Sequence, residues 1–161
     1  MQAAMTAAVG EAWAARQPDL PLKTTGDALI LASIIEKETG LADERRLVAA
    51  VFVNRLRAGM PLQTDPTVIY ALAEGKGPLG RDLTRADLEV ASPYNTYRNP
   101  GLPPGAIANP GKGAIAAAVD PAPVDYLYFV ASGEGGHRFA SSLAEHNRNV
   151  ARWRKLRKSP G

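Results

Sequence analysis

The stretch that decides the fold is LILASIIEKETG, residues 29–40. Its first seven residues and the preceding Ala28 form an eight-residue run, Ala28 to Ile35, that is apolar apart from Ser33. A run of this kind predicts a buried helix, expected over about residues 26–39. Gly40 stands where a helix usually ends, because glycine tolerates the left-handed conformation that closes a helix. We expect this helix to be the central element of the fold.

Glu36 follows directly after the apolar run, and we interpret it as a candidate general acid. A carboxyl group that loses its hydration favours the neutral form, so its pKa should rise. A neutral carboxyl group can protonate a leaving oxygen near neutral pH, as in the cleavage of a bond between sugars. The alternative is a structural glutamate that reaches solvent or pairs with Lys37, as most glutamates at helix ends do.

The residues around Glu36 leave the identity of a second catalytic group open. On a helix Ala32 and Ser33 share the face of Glu36, where small side chains would admit a ligand and Ser33 could donate a hydrogen bond. Glu38 lies about 200° further round the helix, so the two glutamates cannot form a close pair. The two-carboxylate pattern of most glycosidases is therefore not visible here. Asp65 could supply a carboxylate, but DP at 65–66 favours a role as helix N-cap instead.

The rest of the chain predicts an α+β fold, a mostly helical single domain over residues 1–161 with one small antiparallel hairpin. Strand character is strongest in YLYFVA, 126–131, and GEGG followed by HRFAS completes the hairpin. Capping patterns at Thr84–Asp87 and Ser142–Glu145 each predict the start of a helix. The other helices are predicted over residues 2–16, 43–58, 65–74, 113–119 and 142–157.

Composition excludes several classes of protein. The 161 residues contain no cysteine and two histidines, so thiolate chemistry is excluded and a zinc site is not expected. We predict no metal and no cofactor. No apolar run reaches about 18 residues, and the N-terminus lacks the pattern of a signal peptide. The piece is expected to be soluble, without membrane contact of its own.

The net charge of +3 is mild, but the last helix is strongly basic, with Arg148, Arg152, Arg154, Lys155, Arg157 and Lys158. Such a helix could attract nucleic acid or an anionic surface. The rest of the chain carries no basic stripe, so we do not predict a nucleic-acid partner.

Two loop segments concentrate amides, hydroxyls and aromatic rings, a mixture that suits neutral, hydroxyl-rich ligands such as sugars. His137 lies at the predicted start of a strand, where a histidine is usually structural, although a sugar contact or proton carrier is an alternative. With Ser33, the candidate substrate-binding residues are Gln63, Thr64, Tyr70, Asn95, Thr96, Tyr97, Asn109 and His137. Tyr94 belongs to the same loop set.

Seven blocks in order resemble the endolytic murein transglycosylase (YceG-like) family over roughly residues 5–155. They are ASIIEKET (32–39), VFVNRL (51–56), LQTDPTVIY (62–70), SPYNTY (92–97), GLPPGAIANPG (101–111), YLYFVA (126–131) and GGHRFASSLAEHN (135–147). The resemblance implies an active-site helix like that of lysozyme, with the first glutamate of the EKET block, Glu36, as acid and then base.

The resemblance also implies a substrate and a product. Members cleave the bond between N-acetylmuramic acid and N-acetylglucosamine within peptidoglycan strands. The muramic acid 6-hydroxyl then closes on C1 and leaves a 1,6-anhydro end, so that one carboxyl group suffices.

The family is further expected at the periplasmic face of the bacterial inner membrane, with an N-terminal transmembrane helix and a LysM-like subdomain that this chain lacks. Cell-wall synthases are possible partners, and we expect a monomer. The competing interpretation is a carbohydrate-binding domain that does not turn over its ligand.

Overall fold

The computed structural model describes residues 2–158, with the side chains of residues 4–157. Six α-helices and one two-stranded antiparallel sheet account for the regular structure of this part of the chain, which confirms the predicted α+β class. The helices are α1 (Gln2–Ala14), α2 (Thr25–Glu38), α3 (Arg45–Ala58), α4 (Asp65–Ala73), α5 (Lys112–Val119) and α6 (Leu143–Lys158). The strands are β1 (Tyr128–Ala131) and β2 (His137–Ala140).

Helix α2 is the centre of the core, as the apolar run predicts. Thr24 caps its start, because the threonine hydroxyl accepts a hydrogen bond from the backbone N–H of Asp27 at 3.1 Å. Leu31, Ile34 and Ile35 are fully buried where α2 packs against α1, α3 and α5. Burial of these side chains supplies most of the driving force that fixes the helix in place.

Helix α3 begins later than the sequence predicts, at Arg45 rather than Asp43. A 3-10 turn, Ala42–Glu44, links it to α2, and the Thr39 hydroxyl at the end of α2 lies 3.3 Å from the carboxylate of Glu44. The Glu44 side chain is therefore committed to contacts outside the helix.

The helix predicted after Thr84 is reduced to a 3-10 turn, Asp87–Glu89. The reciprocal bonds between Thr84 and Asp87 form as expected, and Arg81 also binds Asp87. The side-chain amide of Asn95 then donates to the carbonyls of Leu88 and Val90, at 2.9 Å each. These two carbonyls accept from a side chain instead of continuing a helical ladder, so the turn ends there.

Strands β1 and β2 pair in the register Tyr128↔Ala140 to Ala131↔His137 and pack against α6. Ser142 caps α6, since its hydroxyl accepts from the N–H of Glu145 at 3.2 Å. Among residues 2–158, no helix combines the length and the apolar character that crossing a bilayer requires.

Candidate active site

A groove of about 290 Å³ opens beside the C-terminal end of α2, and we call it the Glu38 groove. Its apolar lining comes from α3, α6, β1 and the segment before α4. The apolar residues are Val51, Phe52, Leu62, Phe129, Val130 and Val150, and the polar ones are Glu38, Arg55, Gln63, Asp65, Tyr97 and His146. Apolar faces combined with a few converging polar groups are typical of small-molecule sites.

Glu38 is a half-buried carboxyl group that lines this groove. Burial raises its pKa from the usual 4.5, and the charge of Asp65 raises it further. A hydrogen bond of 2.5 Å from the Thr64 hydroxyl and the proximity of His137 act in the opposite direction without cancelling the effect of burial. Glu38 therefore has the property that the sequence led us to expect of Glu36.

Asp65 faces the same groove, which corrects its predicted role as a helix cap. Thr64 occupies the N-cap position of α4 and Asp65 is the first helical residue. The Asp65 carboxylate instead accepts a hydrogen bond of 2.5 Å from the Tyr97 hydroxyl. Burial and the Asp65 contact raise the pKa of Tyr97, so its phenol stays protonated and remains a donor.

A buried network of threonine hydroxyls holds the segment that precedes α4. The Thr96 hydroxyl accepts from the backbone N–H of Thr64 at 3.0 Å and lies 2.9 Å from the Thr67 hydroxyl. The neighbouring Gln63 adopts a positive φ of 52°. A left-handed conformation at a non-glycine residue is uncommon, and here the network over-determines it.

Glu36 lies outside the Glu38 groove. Like Glu38 it is half-buried, and its carboxylate accepts a hydrogen bond of 2.6 Å from the backbone N–H of Gly111. The two glutamates are separated by a rotation of about 200° around the helix, so Glu38 faces the groove and Glu36 faces the start of α5.

Ser33 is also structural rather than open to a ligand. It is fully buried, its hydroxyl donates to the carbonyl of Ile30 at 2.6 Å, and it accepts from the N–H of Ile107 at 3.0 Å. The space expected above Ser33 is therefore occupied by the chain itself, and the predicted bond from Ser33 to Glu36 is not formed.

The other predicted substrate-binding residues separate into three groups. Gln63 and Tyr97 line the Glu38 groove. Thr64, Asn95 and Thr96 are buried and hold the surrounding loops. Outside the groove lie Tyr70, whose ring packs 4.8 Å from that of Tyr94, the exposed Asn109, and His137, whose ring nitrogen Nδ1 lies 2.6 Å from the Glu44 carboxylate.

Arg55 lines the groove but was not among the predicted site residues, although it lies at helical spacing on the apolar face of α3. Its Nε donates to the carbonyl of Leu127 at 2.7 Å, and one terminal nitrogen donates to the carbonyl of Pro61 at 2.9 Å. Burial lowers the pKa of the guanidinium, which still remains charged. The buried charge therefore ties β1 to the segment before α4.

His146 is the second missed residue. Its ring stacks on Tyr128 with a centroid distance of 4.9 Å, and within the described residues its Nδ1 is buried without a hydrogen-bond partner. Burial, followed by the positive charge of Arg55, lowers the pKa of His146 below 6.5, so the ring is neutral near pH 7. The only sequence signal was its spacing of four residues from Val150.

This arrangement can act as a proton donor in a partly apolar groove. A carboxyl group with a raised pKa holds a proton for a leaving oxygen, and nearby groups can orient a ligand by hydrogen bonds. Among residues 2–158, no group of three or more histidine, aspartate or glutamate side chains is placed to hold a metal ion.

Comparisons with known proteins show which family the chain resembles in sequence. The model of the YceG-like family matches residues 1–152. A Bacillus subtilis protein named endolytic murein transglycosylase is 50% identical over 120 residues, which are 74% of this chain and 32% of that protein. A Streptococcus pneumoniae protein of the same name is 40% identical over 134 residues, or 80% of this chain and 24% of that protein.

The fold is also shared with a solved structure. A yceG-like protein of Listeria monocytogenes superposes with a TM-score of 0.69 at 48% identity, over 77% of this chain and 38% of that one. The chain thus spans between about a quarter and a third of the length of the curated relatives it matches. On the match along nearly its whole length, the chain belongs to the YceG-like family.

Proposed function

We propose that this chain is the catalytic part of a murein transglycosylase and that Glu38 is its acid and base. The observation that carries the proposal is the position of Glu38, half-buried and with a raised pKa, in a groove lined by apolar and hydrogen-bonding side chains. The names of the relatives from Bacillus subtilis and Streptococcus pneumoniae support murein as the substrate.

The proposed reaction needs one proton carrier. Protonated Glu38 gives its proton to the oxygen between N-acetylmuramic acid and N-acetylglucosamine, and the bond from C1 to that oxygen breaks. The Glu38 carboxylate then takes the proton of the muramic acid 6-hydroxyl, whose oxygen bonds to C1. The strand is left with a 1,6-anhydro end, and Glu38 is protonated again.

Asp65 and Tyr97 support this step by charge and position. The Asp65 carboxylate raises the pKa of Glu38 and would stabilise positive charge that develops at C1. The hydrogen bond from Tyr97 fixes the orientation of that carboxylate. Gln63 supplies an amide for a sugar hydroxyl or acetamido group.

Glu38 replaces Glu36 in this proposal because of where the two side chains point. Glu36 is engaged with the backbone of Gly111, on the side of α2 that packs towards α5. A residue that protonates a leaving oxygen must be within hydrogen-bond reach of it in the bound complex. Glu38 meets this condition for a ligand in the groove.

The test compares Glu38→Gln with Glu36→Gln. Both changes keep the size of the side chain and remove its proton, and murein digests analysed by mass spectrometry give the rate and the chemical end formed. We expect Glu38→Gln to lower turnover by about a hundredfold or more, while Glu36→Gln retains most of it. The reverse result would return the catalytic role to Glu36.

The product decides the reaction type independently of the residue. A 1,6-anhydromuramic acid end agrees with intramolecular closure. A reducing end that carries ¹⁸O from labelled water would instead make the enzyme a hydrolase.

A carbohydrate-binding domain without turnover is the second candidate, favoured by the partial coverage of the relatives. It would bind isolated glycan strands without forming any new end.

Because murein lies outside the cytoplasmic membrane, we propose that the protein works on the outer face of that membrane, as a monomer and beside cell-wall synthases.

A further inference from the structure

Helix α6 carries the basic character of the chain. Six lysines and arginines against the single acid Glu145 give the helix a formal charge of +5. The whole chain carries +3, so all other residues together carry −2. A concentration of one sign on one helix attracts ligands of the opposite sign.

One face of α6 connects this charge to the Glu38 groove. His146 and Val150 line the groove. Arg154 and Arg157 follow Val150 by four and seven residues, so they lie on the same face of the helix. At a rise of about 1.5 Å per residue, their backbones lie roughly 6 and 10 Å further along the axis than Val150.

Both arginines are available to a ligand. Their side chains are exposed, and in the described part of the chain neither has a carboxylate within salt-bridge distance. The Arg157 guanidinium lies 5.8 Å from the centre of the Trp153 ring, a contact that favours one orientation of a flexible side chain.

We propose that Arg154 and Arg157 form a subsite for the carboxylates of the peptide stems of murein, so that the groove prefers strands bearing peptides over bare glycan. The inference rests on the proposed function, because it places the glycan strand in the Glu38 groove. We call the pair the stem subsite.

The chemistry of the substrate fits this subsite. N-acetylmuramic acid carries a short peptide with free carboxylates, and an extended peptide spans about 3.3–3.6 Å per residue. Two to three peptide residues therefore cover the distance from the groove to the two arginines. Guanidinium groups bind carboxylates through paired, charge-assisted hydrogen bonds.

The same helix offers a control with matched charge. Arg148 and Arg152 are also exposed, but each lies two residues from Val150 and so points to the opposite side of the helix. The variants Arg154→Gln/Arg157→Gln and Arg148→Gln/Arg152→Gln remove the same charge from the same element. A general attraction of polyanions would be weakened equally by both.

The test measures kcat/KM for uncrosslinked strands that bear peptides and for the same strands after an amidase has removed the peptides. We expect the unchanged protein to prefer strands with peptides by about three- to tenfold, in line with two exposed ion pairs. Arg154→Gln/Arg157→Gln should bring this ratio close to one, mainly through KM. Arg148→Gln/Arg152→Gln should keep it.

In the cleavage assay, the stem subsite would be overturned by an unchanged protein without preference, or by equal loss of preference in both variants. A vesicle assay gives a further test. If Arg154→Gln/Arg157→Gln alone loses binding to phosphatidylglycerol vesicles, and its preference for strands with peptides is unaltered, the two arginines bind a membrane surface and the proposal is rejected.

Failure of the proposed function gives a different result. If the unchanged protein cleaves neither substrate, the enzyme assignment fails. Binding of the two kinds of strand to Glu38→Gln, measured over a range of salt concentrations, still decides the subsite. Equal affinity for both strands would reject it, and tighter, salt-sensitive binding of strands with peptides supports it.

Discussion

At the scale of single residues, the protonation of Glu38 results from opposing contacts that can be changed one at a time. The Thr64 hydroxyl stabilises the ionised carboxylate and lowers its pKa, whereas the negative charge of Asp65 raises it. Burial exceeds both effects. If Glu38 is the acid that donates the first proton, activity is lost as pH rises through its pKa.

This balance predicts shifts of opposite sign. Thr64→Val removes a hydrogen bond to the charged form, so the basic limb of the pH profile of kcat/KM should move to higher pH. Asp65→Asn removes a neighbouring negative charge, so the limb should move to lower pH. Lys23→Gln, on an exposed residue that does not line the groove, serves as the control and should move neither. Shifts in the same direction for both variants would mean that the limb reports another group.

The sequence analysis expects the acid of this block at Glu36, whereas the residue of the block that lines the groove is Glu38. The apolar run made Glu36 the expected buried acid. The surroundings of Glu38 instead include Thr64, 26 residues away, and groove residues as distant as His146. The local pattern sets which residues share a face of a helix, but not which distant segment covers that face.

At the scale of elements, the hairpin is attached to the turn between α2 and α3 by one carboxylate. Glu44 accepts from the backbone N–H of His137 at 2.7 Å and lies 2.6 Å from its ring nitrogen Nδ1. Both side chains are largely buried, at 13% and 17% exposed. Glu44 is thus the partner of two groups that the hairpin cannot satisfy by itself.

We expect Glu44→Ala to destabilise the protein by about 1–3 kcal/mol, because a partly buried N–H and a ring nitrogen lose their partner. Glu44→Gln should recover part of the loss, since its amide oxygen can still accept from the backbone. Urea unfolding followed by circular dichroism measures both. A change within about 0.5 kcal/mol for Glu44→Ala, as at ordinary surface sites, would show that the hairpin is held elsewhere.

Elements with strong local signals were predictable. The helices α2 and α6 and the hairpin follow from apolar periodicity, capping residues and β-branched content. The turn at Asp87–Glu89 was not, because the amide of Asn95 binds the carbonyls that a longer helix would use. A capping pattern predicts where a helix can start, whereas competing side chains decide whether it continues.

At the scale of the whole molecule, the groove is formed where the hairpin and α6 meet the helical core. Asn54 donates to the carbonyls of Val124 and Tyr126, and the neighbouring Arg55 donates to that of Leu127. These contacts join segments about 70 residues apart. The basic residues of α6 gave no signal of this packing, because they are exposed.

Arg55 should therefore control the shape of the groove as well as the stability of the fold. A lysine keeps the positive charge but cannot reach the carbonyls of Leu127 and Pro61 from two fixed directions, as the planar guanidinium does. We expect Arg55→Lys to cost about 1–3 kcal/mol, because at least one buried carbonyl loses its donor. The same change should lower kcat/KM, since the segment before α4 and β1 no longer share a partner.

Arg57→Lys is the matched control, because Arg57 is exposed on the same helix and makes one bond, to the carbonyl of Asp19 at 3.2 Å. It should change stability by no more than about 0.5 kcal/mol. Urea unfolding and murein cleavage, measured on both variants, separate the two residues.

If Arg55→Lys unfolds and cleaves like Arg57→Lys, the two sides of the groove are held together by the apolar contacts of Phe52 and Phe129 alone, whose rings meet edge to face at 5.8 Å. Loss of activity without loss of stability would instead mean that the guanidinium acts on the ligand directly, since it lines the groove beside Tyr97 and His146.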